Sequence, residues 1–152
     1  MLKGLPAILS PELLKILCEM GHGDELVIGD GNFPAASCAQ RLVRLDGHGV
    51  CEILDAILRV FPLDTYVAAP VALMQVSPGD DYKPEIWPEY RRIVLEREGD
   101  HRFEEIERFA FYERAKKAIV RSAISFCKRQ ASSSAFRAIC TKKRARQTPA
   151  RP

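Results

Sequence analysis

Apolar and polar positions along the chain change period repeatedly, and each change marks an element. Leu13, Leu14, Ile16, Leu17 and Met20 recur at helical spacing behind Ser10-Pro11-Glu12. A hydroxyl cap, a proline at the first helical position and a carboxylate at the positive end of the dipole predict a helix of about ten residues there. Gly21 is expected to stop it as a C-cap glycine. Glu25-Leu26-Val27-Ile28-Gly29 reads as a short, mostly apolar strand of the kind buried in an α/β sheet. Asn32-Phe33-Pro34 is a turn, and the polar–apolar alternation of Arg41-Leu42-Val43-Arg44-Leu45 gives a second strand.

Asp46-Gly47-His48-Gly49 turns the chain into a helix carrying Ile53, Leu54, Ile57, Leu58 and Phe61, which Pro62 ends. A third strand runs from Val71 to Val76, with a Pro78-Gly79-Asp80 turn after it. Residues 84–97 form a helix interrupted near Pro88, with Trp87, Tyr90, Ile93 and Val94 on its apolar side. Residues 103–118 read as a strand or extended approach followed by a helix starting near Phe109. Strands alternating with helices predict an α/β fold, a sheet with flanking helices.

Past Arg121 neither period survives, and residues from about 128 have the composition of a disordered basic tail. Charge divides at the same place. Residues 1–114 hold 12 basic and all 20 acidic residues, a balance of −8, whereas residues 115–152 hold 11 basic residues and no acidic one. The expected organisation is therefore one α/β domain over residues 1–120 and a divergent basic tail over residues 121–152. Without aromatic interleaving or a recognised module, the tail reads as non-specific attraction at most, and nucleic acid is not the expected partner.

No leader-like segment and no apolar run of about 18 residues is seen, so no signal peptide or membrane span is expected. Cys18, Cys38, Cys51, Cys127 and Cys140 are an odd set without CxxC spacing, which argues for reduced thiols in a cytoplasm. The absence of HxxxH, HExxH and clustered cysteines predicts no metal site, and the absence of a phosphate-binding glycine loop predicts no nucleotide cofactor.

The candidate chemistry centres on Met20-Gly21-His22-Gly23-Asp24-Glu25 and Gly29-Asp30-Gly31. His22 is the candidate proton-transfer group, because an imidazole gives or takes a proton near pH 7 without much tuning. A helix-terminal histidine bonded locally is the alternative. Asp24 and Glu25 are the neighbours expected to orient it, unless both are simply solvated. Asp30, where the strand ends, either makes an Asx turn or grips sugar-like hydroxyls and shares a proton with His22. Arg108 and Tyr112 lie four apart, so a helix would put them on one face, either as an ordinary surface pair or as a hold on a polyol oxygen. His48 and His101 fall in turns and are read as structural or solvent-facing.

Several blocks carry a family resemblance: Leu9-Ser10-Pro11-Glu12-Leu13-Leu14, Met20-Gly21-His22-Gly23-Asp24-Glu25, Asn32-Phe33-Pro34, Asp46-Gly47, Pro62-Leu63-Asp64-Thr65-Tyr66, and residues 107–118. Over residues 1–120 the chain resembles the RbsD/FucU family of sugar mutarotases, its L-fucose branch rather than its D-ribose pyranases. The resemblance implies a cofactor-free enzyme that interconverts the α and β anomers of a free monosaccharide, L-fucose before others. It also implies a homo-oligomeric ring, commonly a decamer, with sites formed between neighbouring subunits. His22 then matches the proton donor, Asp30 and Arg108 match sugar-binding residues, and Tyr112 lies in the aromatic block near the site. No metal is implied.

One part of the family pattern is missing. The family continues past this point with a Thr-Gly-Glu turn and a Tyr-Gly-Asn motif that supplies sugar contacts and an acid/base tyrosine. Residues 121–152 contain no tyrosine, asparagine or glycine, so no residue is carried over. The abrupt change reads as a loss of frame near Arg121, with a sheet short of strands. It keeps open a catalytically impaired sugar-binding relative, beside D-ribose pyranase-like activity.

Overall fold

A computed structural model of the chain describes residues 3–38, 41–81, 83–117, 122–125 and 138–142. Within these, helices and strands alternate as α1 (Pro11–Glu19), β1 (Glu25–Gly29), α2 (Ala35–Cys38), β2 (Arg41–Arg44), α3 (Val50–Leu58), β3 (Val71–Met74), α4 (Trp87–Glu98), β4 (Phe103–Ile106), α5 (Arg108–Lys117), β5 (Ser122–Ser125) and β6 (Ala138–Lys142). The expected α/β sheet with flanking helices is present.

The six strands make one sheet in the order β2-β5-β1-β6-β3-β4. Strand β5 pairs in parallel with both β1 and β2, and β3 pairs in parallel with β4. Strand β6 runs antiparallel to β1 on one side and to β3 on the other, so β1 and β3 point the same way. Two stretches of the tail are thus inside the sheet, β5 between β1 and β2 and β6 between β1 and β3. The expectation of a sheet short of strands is corrected at these nine residues. It failed because a central strand is specified by its neighbours' hydrogen bonds as much as by its own alternation. The remaining tail positions, 121, 126–137 and 143–152, lie outside the described residues.

Side chains alternate across the sheet with a period of two, and this sorts the core into two layers. Leu26 and Ile28 of β1 and Val71 and Leu73 of β3 pack with Leu13, Ile16, Leu17, Ile53, Leu54, Ile57, Tyr90, Ile93 and Val94, which places α1, α3 and α4 on one face. Val27, Ala72 and Met74 point the other way, onto Phe33, Ala35, Cys38, Phe111 and Ala115 of α2, its approach and α5. Burial of these apolar side chains, worth about 1.5–3 kcal/mol for each large one, is the main force closing the layers.

The local signals at helix ends held with some differences. Ser10 caps α1, its hydroxyl oxygen accepting the Leu13 N–H at 3.2 Å. The helix ends on Met20 in an extended conformation, however, and the left-handed glycine is Gly23, not Gly21. Pro88 does not interrupt a helix. It occupies the first turn of α4, where its missing N–H costs nothing, and Gly99 at φ 90° closes that helix. Helix α5 starts at Arg108 because the Glu107 carboxylate accepts the N–H groups of Phe109 (2.8 Å) and Ala110 (3.0 Å). Arg114 then fastens α5 to the sheet, its guanidinium gripping the Glu25 carboxylate at 2.8–3.1 Å while also reaching Glu104.

Candidate active site

His22 sits in the turn between α1 and β1, half-exposed, held by two local devices. Gly23 at φ 82° makes the reversal, and Asp24 accepts the Gly21 N–H at 2.6 Å. Asp24 is therefore occupied by the turn and Glu25 by Arg114, so neither orients the imidazole as the sequence suggested. The partner is Asp64. Its Oδ2 lies 3.4 Å from His22 Nδ1, and its side chain is wholly buried. The loop that carries it is pinned by Phe61 and Leu63, both buried, and by Glu98, whose carboxylate accepts the Leu63 N–H at 3.0 Å. The other Asp64 oxygen accepts the Tyr66 N–H at 2.9 Å.

A buried carboxylate with one oxygen left for an imidazole is an orienting group. A carboxylate beside a histidine in this way can position an imidazole for proton exchange. Asp64 lies in a block that carried the resemblance, yet nothing in its spacing marked it as a partner of a residue 42 positions earlier. The one available signal was an aspartate two residues after a helix-ending proline, preceded by Leu63.

The other candidates gather elsewhere. Asp30 does make the Asx turn, Oδ1 accepting the Asn32 N–H at 3.0 Å, and its carbonyl accepts the Phe33 N–H at 3.0 Å. That turn folds Phe33 against Gly29 so closely that a Cβ at position 29 would stand 2.7 Å from Phe33 Cβ. Phe33 in turn meets Phe111 and Tyr112 edge-on, with centroids 6.2 and 5.7 Å apart. Arg108 lies one turn before Tyr112 on α5. Its Nη1 is 3.5 Å from Ser77 Oγ and its guanidinium carbon 5.8 Å from the Phe109 ring. Asp30, Arg108 and Tyr112 thus belong to one surface, joined through Phe33 and Phe109.

Strand direction separates that surface from His22. His22 precedes β1 and Asp64 precedes β3, whereas Asp30 follows β1, Ser77 follows β3 and Arg108 follows β4. Because β1, β3 and β4 run the same way, the first pair lies at one edge of the sheet and the rest at the other. Strand β1 alone interposes about 13 Å. Within one chain His22 and Asp30 cannot share a proton, so that expectation is corrected. The chain carries two separated halves: the His22–Asp64 pair, and a polar surface with an aromatic floor.

Comparison with known proteins gives these halves a context. Residues 3–124 match the model of the RbsD / FucU transport protein family. The fucose mutarotase of Homo sapiens is 52% identical over 123 residues, covering 77% of this chain and 80% of that one. The L-fucose mutarotase of Actinobacillus pleuropneumoniae is 49% identical over 119 residues, 78% of this chain and 83% of its own. Among solved structures, the fucose mutarotase of Streptococcus pneumoniae in complex with L-fucose superposes with a TM-score of 0.83 at 40% identity, covering 96% of this chain and all of that one. Bacillus subtilis RbsD complexed with D-ribose shares the fold, at a TM-score of 0.67 and 16% identity. With a family match through most of its length and half its aligned residues shared with fucose mutarotases, the chain belongs to the RbsD / FucU family.

Proposed function

We propose that this chain is an L-fucose mutarotase that interconverts the α and β anomers of the free sugar by general acid–base ring opening and closure. The observation that carries the reading is the His22–Asp64 pair, a proton-transfer group with its orienting carboxylate, in a chain about half identical to proteins named for that reaction.

The chemistry asks for little more. His22 delivers a proton to the ring oxygen as the anomeric hydroxyl gives one up, the bond between C1 and the ring oxygen breaks, and C1 becomes an aldehyde. Rotation about C1–C2 presents the other carbonyl face, and the hydroxyl adds back with both protons returned. No electrons are transferred, so the reaction itself calls for no redox cofactor. A positioned acid or base contributes about 10²–10⁴-fold to such a step. Asp30, Arg108 and Tyr112 are the sugar-binding residues in this reading, charged and hydroxyl groups for the polyol rim above an aromatic floor.

The two halves need each other, and the way they meet is between copies. A homo-oligomeric ring in which one chain's His22 edge faces the next chain's Asp30–Arg108 edge completes each site, a heterologous contact that makes a ring where its rotation closes. Among the described residues no helix is long and apolar enough to cross a membrane. Cys18, Cys38 and Cys51 are thiols outside any disulfide, which suits a reducing cytoplasm.

A second reading has its own observation. Residues 121–152 lack any tyrosine, asparagine or glycine, which favours a catalytically impaired relative that still binds the sugar. Saturation-difference proton NMR on L-fucose, wild type beside His22→Ala, separates the two. Exchange that the variant abolishes supports the mutarotase. Exchange no faster than buffer, with sugar binding retained, supports the impaired relative.

A further inference from the structure

We propose that Tyr66 is a substrate-contacting, specificity-determining residue of the His22 half, its ring face receiving the apolar C–H face and methyl group of a 6-deoxy sugar. The proposal rests on the anomer-exchange reading above and adds to it a residue and a basis for sugar choice.

Among the described residues three large hydrophobic side chains are exposed: Tyr66 and Phe109, each 68% exposed, and Leu95. Leu95 stands on the outer side of α4, and a single exposed leucine calls for no explanation. Phe109 lies beside Arg108 and Tyr112. Tyr66 stands at the other end, against His22, with ring centroids 5.8 Å apart and planes at 89°.

Its placement is tied to the proton-transfer pair. The Tyr66 N–H donates to Asp64 Oδ1 while Asp64 Oδ2 lies 3.4 Å from His22 Nδ1, so one buried carboxylate holds the Tyr66 backbone and stands beside the His22 ring. An edge-to-face contact occupies only part of the tyrosine, and the exposure leaves most of the ring open to solvent. A core-filling role would require burial, which is absent.

Two flat groups at right angles form a corner. One wall exchanges a proton and the other presents a π face, whose negative quadrupole suits C–H groups. A pyranose matches such a corner, with hydroxyls around its rim and C–H bonds across its face. L-Fucose adds a methyl at C5. D-Arabinose has the same hydroxyl arrangement without that methyl, so it isolates the contribution of the methyl contact.

Concentration-dependent anomer exchange on L-fucose and D-arabinose, for wild type, Tyr66→Ala and Tyr66→Phe with melting curves alongside, tests the proposal. Tyr66→Ala is expected to raise KM for L-fucose about tenfold, with kcat and its pH profile little changed, and to affect D-arabinose less than about threefold. Tyr66→Phe should stay within about twofold of wild type, since the ring and not the hydroxyl makes the contact. An active wild type whose Tyr66→Ala form keeps its KM, or loses both sugars equally, overturns the proposal and leaves the mutarotase reading standing. So does a Tyr66→Phe form as weak as Tyr66→Ala, or a loss confined to kcat with a displaced pH profile, which would make the ring a support for the imidazole. A wild type without exchange overturns the mutarotase reading, and the Tyr66 contact with it.

Discussion

Asp64 Oδ2 lies 3.4 Å from His22 Nδ1, and the aspartate is wholly buried while the histidine is half-exposed. The pair therefore has a fixed member and a solvent-accessible one. Asp64→Asn keeps the volume and the acceptor for the Tyr66 N–H, but its amide can donate to Nδ1 and so hold the ring proton on Nε2. The expected result is a loss of about 10²–10⁴-fold in anomer exchange with the fold intact. Exchange rates read beside near-ultraviolet circular dichroism check this, and a folded variant with wild-type exchange would remove Asp64 from the mechanism.

Separation of His22 from Arg108 by the length of β1 makes a different prediction, about two chains. His22→Ala and Arg108→Ala should each be inactive alone. Mixed subunits should regain exchange, because some sites then pair an intact His22 edge with an intact Arg108 edge. For random mixing in a ring of heterologous contacts, on the order of a quarter of sites are complete. Co-refolding the two variants and measuring exchange decides it. A mixture no more active than its components would mean that each site is built from one chain.

The sequence was most legible where the physics is local. The Ser10 cap and the buried β1 both follow from signals read within a few residues. Asp30 showed its Asx turn for the same reason. What stayed hidden depends on contacts distant in the chain. Asp64 meets His22 only because α3 and α4 hold its loop at the right edge, with Glu98 bonded to Leu63 from 35 residues away. Residues 138–142 show no strand signal of their own, and their register comes from β1 and β3 on either side. The short α2 was missed because four residues cannot display a helical period.

Gly29 tests how the Asp30 surface is supported. Its backbone is not in the left-handed region, so alanine is unstrained there in φ and ψ, but the added Cβ would fall 2.7 Å from both Phe33 Cβ and Cγ. Phe33 is buried and wedged against Phe111 and Tyr112, so it cannot move without moving them. Gly29→Ala should cost about 1–3 kcal/mol, the usual penalty for overpacking. It should also weaken sugar binding by displacing the Asp30 turn. Chemical denaturation and sugar titration measure the two effects, and a variant of wild-type stability would show that Phe33 has room that its contacts do not suggest.

Glu107 gives a pH dependence whose sign can be worked out. The backbone N–H of Ala110, then that of Phe109, donates to its carboxylate and holds its pKa below the ordinary value of 4.5. A group whose folded pKa is depressed contributes stability that is fully present above the unfolded pKa and is lost as pH falls through the folded one. The α5 cap should therefore contribute at neutral pH and fade below about pH 4.5, ending under the depressed folded pKa. Glu107→Gln keeps an oxygen for one N–H but carries no charge to titrate. The melting-temperature difference between wild type and Glu107→Gln should be largest at neutral pH and shrink on acidification. Taking the difference cancels the other carboxylates common to both proteins. A gap that stays constant from pH 7 to pH 3 would mean the charge on Glu107 does not stabilise the helix start. Because Arg108 is the first residue of α5, fraying of this cap at low pH should also loosen the Asp30–Arg108 edge before the His22 edge.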